Sequence, residues 1–124
     1  MRGILVQVGE NPMEYEFDGL KEMQKAVGGY IESVSWLFND SPAVYVNENG
    51  KLDGSEPNRA ISYGGEVVDI LFGPILCAGV DFESGETRGL TDEELDRAMR
   101  YFTEESPAES GIAAVVSILA GRNR

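Results

Sequence analysis

The 124-residue sequence predicts a single α+β domain, a mixed, mainly antiparallel sheet with about three helices packed against it. Three observations predict it. Apolar residues alternate with a period of two near the N-terminus, turn-forming Gly, Pro, Asn and Asp clusters punctuate β-rich runs in the middle, and two capping boxes open helical stripes after residue 90.

Ile4, Val6 and Val8 fall on one side of an extended chain, and Met13, Tyr15 and Phe17 alternate with Glu14 and Glu16 after the turn Gly9-Glu10-Asn11-Pro12. This is the pattern of two short strands. Asp18 is placed to cap a helix over about residues 19–28, in which Leu20, Met23 and Val27 share a face and Gly28-Gly29 provides the left-handed stop. Tyr30 to Phe38, rich in aromatic and β-branched residues, reads as a strand closed by Asn39-Asp40-Ser41-Pro42, and Val44 to Glu48 reads as the next.

Asn49-Gly50 predicts a two-residue type I′ hairpin with Glu48 opposite Lys51, because both central positions of that turn need positive φ. Residues 53–66 read as the longest polar connection. The apolar run Asp69 to Val80 reads as a buried strand, or as a strand pair bent at Gly73-Pro74. Thr91-Asp92-Glu93-Glu94 forms a capping box before Leu95, Ala98, Met99 and Phe102 at helical spacing, and Ser106-Pro107-Ala108-Glu109 forms another before Ile112, Val115, Val116 and Leu119. The chain thus divides into an α+β domain over 1–105 and a C-terminal helical segment over 106–124, its helix near 107–120, packed on the domain or at an interface. That helix is apolar over a broad arc, which suits core packing or the seam of a homodimer.

Composition excludes several functions. There is no histidine, so serine and cysteine triads that rely on it, histidine-based zinc sites and histidine acid/base pairs are ruled out. The single Cys77 lies in an apolar run and reads as a small buried hydrophobe, and no cofactor or metal is expected. No apolar run approaches the roughly 20 residues of a membrane span, and the N-terminal apolar stretch is short for a signal peptide, so the expected setting is the cytoplasm, away from membranes. A net charge of -12 repels nucleic acid and favours basic protein surfaces instead.

The acidity concentrates between Asp81 and Glu109, with ten carboxylates against three arginines. It reads either as a solvated helix face or as an acidic docking surface carried by Glu93, Glu94, Glu104 and Glu105. Asp81 to Glu86 lacks the spacing of a calcium loop and reads as a hairpin turn at Ser84-Gly85. Carboxylate catalysis through Asp69, Asp81 or Glu86 depends on a convergence that sequence does not reveal. Lys51, Asn58 and Arg59 are candidate donors for a small anionic, nucleotide-like ligand; alternatively Asn58 caps a turn and Arg59 pairs with a neighbouring acid.

Val27-Gly28-Gly29-Tyr30-Ile31-Glu32, Asn47 to Leu52, Pro57-Asn58-Arg59-Ala60, Asp69 to Gly73 and Gly89 to Glu93 resemble the family catalogued as domain of unknown function 3846, over most of residues 3–103. The resemblance implies a phage, plasmid or mobile-element setting in bacteria and no established activity or catalytic residues. The expected function is an accessory protein, not an enzyme, that binds and modulates a host factor such as a defence or nucleic-acid enzyme. Two alternatives stand beside it: a small-ligand or nucleotide-signal binder, and a carboxylate/metal-dependent enzyme.

Overall fold

A computed structural model of the chain describes residues 1–122; the last two residues of the 106–124 segment lie outside the described residues. The fold is α+β, as expected. Its main sheet contains β1 (Arg2–Val6), β2 (Met13–Glu16), β3 (Ile31–Ser33), β4 (Ala43–Asn47), β7 (Ile75–Val80) and β8 (Thr87–Arg88). The strands run in the order β2-β1-β7-β4-β3, with β8 on β7, and every pairing is antiparallel. A separate hairpin of β5 (Pro57–Tyr63) and β6 (Glu66–Phe72) completes the β structure.

β7 lies at the centre because it is apolar on both faces. Ile75 and Cys77 join Ile4, Val6, Val44 and Val46 on one face, where they meet Ile61 and Leu71 of the hairpin and Ala98 and Phe102 beyond β8. Leu76 and Ala78 face the other way, onto Phe17 and onto Met23 and Val27 of helix α1 (Gly19–Val27). Cys77 is fully buried and free, and burial pushes its thiol pKa up to about 12, so it packs as an uncharged hydrophobe.

Three local expectations are overturned. The strand expected over Tyr30–Phe38 stops at Ser33, because Val34, Leu37 and Phe38 all turn toward the same core, which a period of two does not permit. Asn49-Gly50 makes no hairpin: Asn47 Oδ1 accepts from the Asn49 N–H at 2.9 Å, Asn47 Nδ2 donates to Asp53, and the chain curls through successive turns over 48–54. Gly50 is needed there for close approach, since a Cβ would lie 3.1 Å from the Phe72 carbonyl oxygen. The two-residue hairpin occurs instead at Gly64-Gly65 (φ 59° and 84°), inside the segment expected to be a loop, where it joins β5 to β6.

Helix α2 (Asp92–Arg100) has the expected capping box and runs directly into one π-helical turn, Tyr101–Glu105, closed by the Ser106 N–H donating to the Tyr101 carbonyl. The capping box expected at Ser106 is absent, and helix α3 (Ser110–Arg122) starts later. Ser106 Oγ donates to the Ala60 carbonyl at 2.7 Å, and the Ala60 N–H donates to Ser110 Oγ at 3.0 Å. The two hydroxyls therefore satisfy the edge of β5 that faces away from β6.

Candidate partner-binding cleft

The segment over residues 35–42, α2 and the π turn enclose a surface cleft of about 620 Å³ lined by Leu37, Phe38, Glu93, Asp96, Arg97, Arg100, Tyr101 and Glu105. The floor is aromatic. Phe38 stands edge-on to Tyr101 at 5.3 Å, and both rest on Phe102, which is fully buried behind the floor, at 6.2 Å and 5.0 Å. Burial, with the charge of Glu105 added, holds the Tyr101 phenol up at about 12, so it stays protonated at neutral pH.

The rim is charged, and its charges are not equally available. Arg100 Nε pairs with Asp96 at 3.2 Å, one helical turn away, and Arg97 donates to the Ser41 carbonyl. Among the described residues, no basic nitrogen lies within salt-bridge distance of Glu93, Glu104 or Glu105, all of which are exposed. Glu93 and Glu105 therefore stand as carboxylates without a direct ion-pair partner on a rim that carries three acids against the two guanidiniums of Arg97 and Arg100.

Glu94 is the exception in the expected acidic quartet. Only 3% of it is exposed, and its carboxylate accepts from Arg88 Nη1 at 2.7 Å, from the Thr91 N–H at 3.0 Å and from Ser41 Oγ at 3.3 Å. Burial pushes its pKa up, but the Arg88 and Thr91 hydrogen bonds and the Arg88 charge outweigh this and hold it below the usual carboxylate value. Glu94 thus ties β8, the start of α2 and the 35–42 segment together, and it cannot form part of a docking face. Asp96, not singled out from the sequence, occupies the rim instead, and Glu104 is exposed but does not line the cleft.

The expected ligand-binding set Lys51, Asn58 and Arg59 does not converge. Lys51 is exposed and pairs with Asp69 at 2.8 Å, beside a second cleft of about 350 Å³ whose lining includes Val34, Val46 and Leu71, with Glu32 and Glu48. Asn58 and Arg59 are fully buried and do not line that cleft. Asn58 Nδ2 donates to the carbonyls of Val6 at 2.8 Å and Gly73 at 2.7 Å, and its Oδ1 accepts from Arg59 Nη1 at 2.6 Å. Arg59 Nη2 donates to the Glu10 carbonyl. Burial lowers the Arg59 pKa and the charge of Glu109 opposes the shift. The pair staples the hairpin to the end of β1 and to the Gly73 turn, so its side chains face the chain's own carbonyls.

Asp81 and Glu86 flank the β7–β8 turn, where Asp81 Oδ1 accepts from the Glu83 N–H at 2.9 Å and Gly85 takes the positive φ that the expected hairpin turn requires. Asp69 lies elsewhere, on β6 against Lys51. Among the described residues no group of three or more Cys, Asp or Glu side chains is arranged to hold a metal ion, and no helix is long and apolar enough to cross a membrane.

Fold and cleft together define a small acidic α+β domain with a cleft on its second helix whose floor is aromatic and whose rim carries three acids and two arginines. The chain belongs to the family described as Domain of unknown function (DUF3846), whose profile matches residues 1–103. The match covers the whole sheet, the β5–β6 hairpin and α2, and ends before Ser106 and α3. No curated protein and no solved structure matches the chain.

Proposed function

We propose that the protein is a binding module without catalytic activity, whose α2 and π-turn cleft receives a basic side chain of a partner protein. The unpaired carboxylates of Glu93 and Glu105 above the Phe38–Tyr101 floor are the observation that carries this reading. An Arg or Lys side chain has the matching chemistry: its apolar stem packs on the rings, and its cation meets both the ring faces and the carboxylates. The net charge of -12 steers such a partner inward and repels free nucleic acid.

The biological reading is an accessory protein of a phage or other mobile element that acts in the bacterial cytoplasm on a host factor. A defence or nucleic-acid enzyme suits it, because such enzymes present the basic grooves an acidic cleft would occupy. The test is affinity capture from a bacterial lysate with the wild type and the Glu93→Lys/Glu105→Lys variant, at low and raised salt. A partner lost on raising salt and lost with the variant supports the proposal; a partner retained by the variant contradicts it.

A second reading rests on the cleft beside Lys51. Its apolar walls, Val34, Val46 and Leu71, favour a small ligand with an apolar body, and Glu32, Glu48 and Asp69 against the single Lys51 disfavour the anion expected from sequence. Thermal-shift screening with nucleotides and with hydrophobic amines separates these outcomes.

A further inference from the structure

The β5–β6 hairpin has two outer edges, and the chain finishes only one of them. Ala60 of β5 stands opposite Ile70 of β6. In an antiparallel ladder, opposed residues exchange both main-chain bonds or neither. The Ala60 N–H and C=O are taken by Ser110 Oγ and Ser106 Oγ, on the side away from β6, so this pair exchanges neither bond. The N–H and C=O of Ile70 therefore point away from β5, to the edge of β6 on which no strand lies. There the Ile70 N–H donates to Asp69 Oδ1 at 2.8 Å, and Lys51 Nζ donates to the same oxygen at 2.8 Å. Among the described residues, no main-chain N–H outside the hairpin donates to the Ile70 carbonyl.

Side chains alternate across this edge. Leu71 points into the core, so Ile70 points the other way, toward a shallow depression that it lines with Val67, Val68, Phe72 and Ile118 of α3. Asp69 shares the core-side face with Leu71, and on that face the edge borders the cleft of about 350 Å³ that holds Val34, Val46, Glu32 and Glu48. Lys51 lines both hollows, so its side chain lies across the edge between them.

We infer that the edge of β6 at Ile70 receives an extended segment of a partner protein, and that Asp69 Oδ1 holds the place of that segment's carbonyl oxygen in the free protein. The unfinished main-chain pair specifies the occupant, because an N–H and a C=O side by side on a strand edge are matched by one residue of extended backbone. The residue opposite Ile70 turns its side chain to the depression beside Ile118, which takes an apolar group. Its two neighbours turn theirs over Val34 and Val46 toward Glu32 and Glu48, which suits long basic chains with apolar stems. The segment therefore reads basic, apolar, basic. A second copy fits worse, since it would bring Glu32, Glu48 and Asp69 of both chains to one seam with only Lys51 of each to offset them. The contact is short: a bulge at Val68 interrupts the ladder on one side, and Gly50 packs against the Phe72 carbonyl on the other. The exposed Lys51–Asp69 pair gives way at little cost. The inference borders on the small-ligand reading of the same cleft but does not rest on it, since the main chain defines this occupant.

Amide-resolved NMR titration of the full chain tests it, with the peptide acetyl-Thr-Lys-Val-Lys-Thr-amide and with the same peptide N-methylated at its valine. The expected result is saturable shifts at Asp69, Ile70 and Leu71 with the plain peptide, retained in Glu93→Lys/Glu105→Lys. The methylated peptide, whose valine no longer donates to the Ile70 carbonyl, is expected to bind at least about tenfold more weakly. Equal binding of the methylated peptide overturns the inference and assigns the cleft to side chains alone, as in the small-ligand reading. Shifts at Asp69 to Leu71 that follow protein concentration without peptide overturn it and give the edge to a second copy. Shifts confined to Phe38, Glu93 and Tyr101 to Glu105, or no saturable shift at all, also overturn it; the first of these supports the α2 cleft, so the two proposals fail separately.

Discussion

Glu94 shows most clearly how one side chain serves structure where its charge alone suggests binding. Glu94→Gln keeps its shape and removes its charge, and the variant is expected to lose about 2 kcal/mol, because the Arg88 fork and the Thr91 amide then face a neutral acceptor. The folded-state pKa lies below the unfolded one, so the stabilisation is complete above the unfolded value and disappears as pH falls through the folded value. Urea denaturation of both proteins at neutral pH and in acid should show the gap closing only in acid. Asn58→Ala removes the side-chain donor to the Val6 and Gly73 carbonyls and leaves Arg59 Nη1 only the backbone carbonyl of residue 58, with an expected cost of about 3 kcal/mol in the same measurement. Neither role was legible in the sequence. A buried acid and a surface acid are the same letter, and the i to i+3 capping box marked Glu94 as a helix-start residue without giving its depth.

At the scale of elements, legibility followed periodicity. β1, β2, α1 and α2 each repeat apolar residues at the spacing of one state, and the structure places them close to their expected bounds. The failures share a cause, in that one local signal lost to contacts the residue pattern does not display. Asn49-Gly50 carries hairpin chemistry, yet Asn47 draws the chain into a side-chain-bonded turn, and the hairpin forms at Gly64-Gly65, where both residues have positive φ. Gly65→Ala is expected to cost about 1 kcal/mol, measured by thermal denaturation, because a Cβ strains that conformation. The π turn has no sequence period of its own. It appears where α2 must deliver Phe102 to the core and Tyr101 to the cleft in consecutive positions. Gly111→Ala should lift α3 from β5 and increase protease cleavage within the helix, since the added Cβ meets backbone.

Across the whole molecule, the charge of -12 divides into three kinds. Part is structural, as at Glu94; part is paired, as at Asp96 and Asp69; and part is free, at Glu93, Glu104 and Glu105. The free part gives the α2 cleft its character. The family match covers the cleft residues from Leu37 to Tyr101 but ends before Glu105 and α3, so the Glu93 side of the cleft is the property to compare first among relatives. The most direct measurement is an amide-resolved NMR titration of the protein with a short arginine-rich peptide. The expected result is saturable shifts at Phe38, Glu93 and Tyr101 to Glu105, abolished in Glu93→Lys/Glu105→Lys. Shifts spread evenly over the acidic surface, or unchanged in the variant, would contradict the cleft as the binding site.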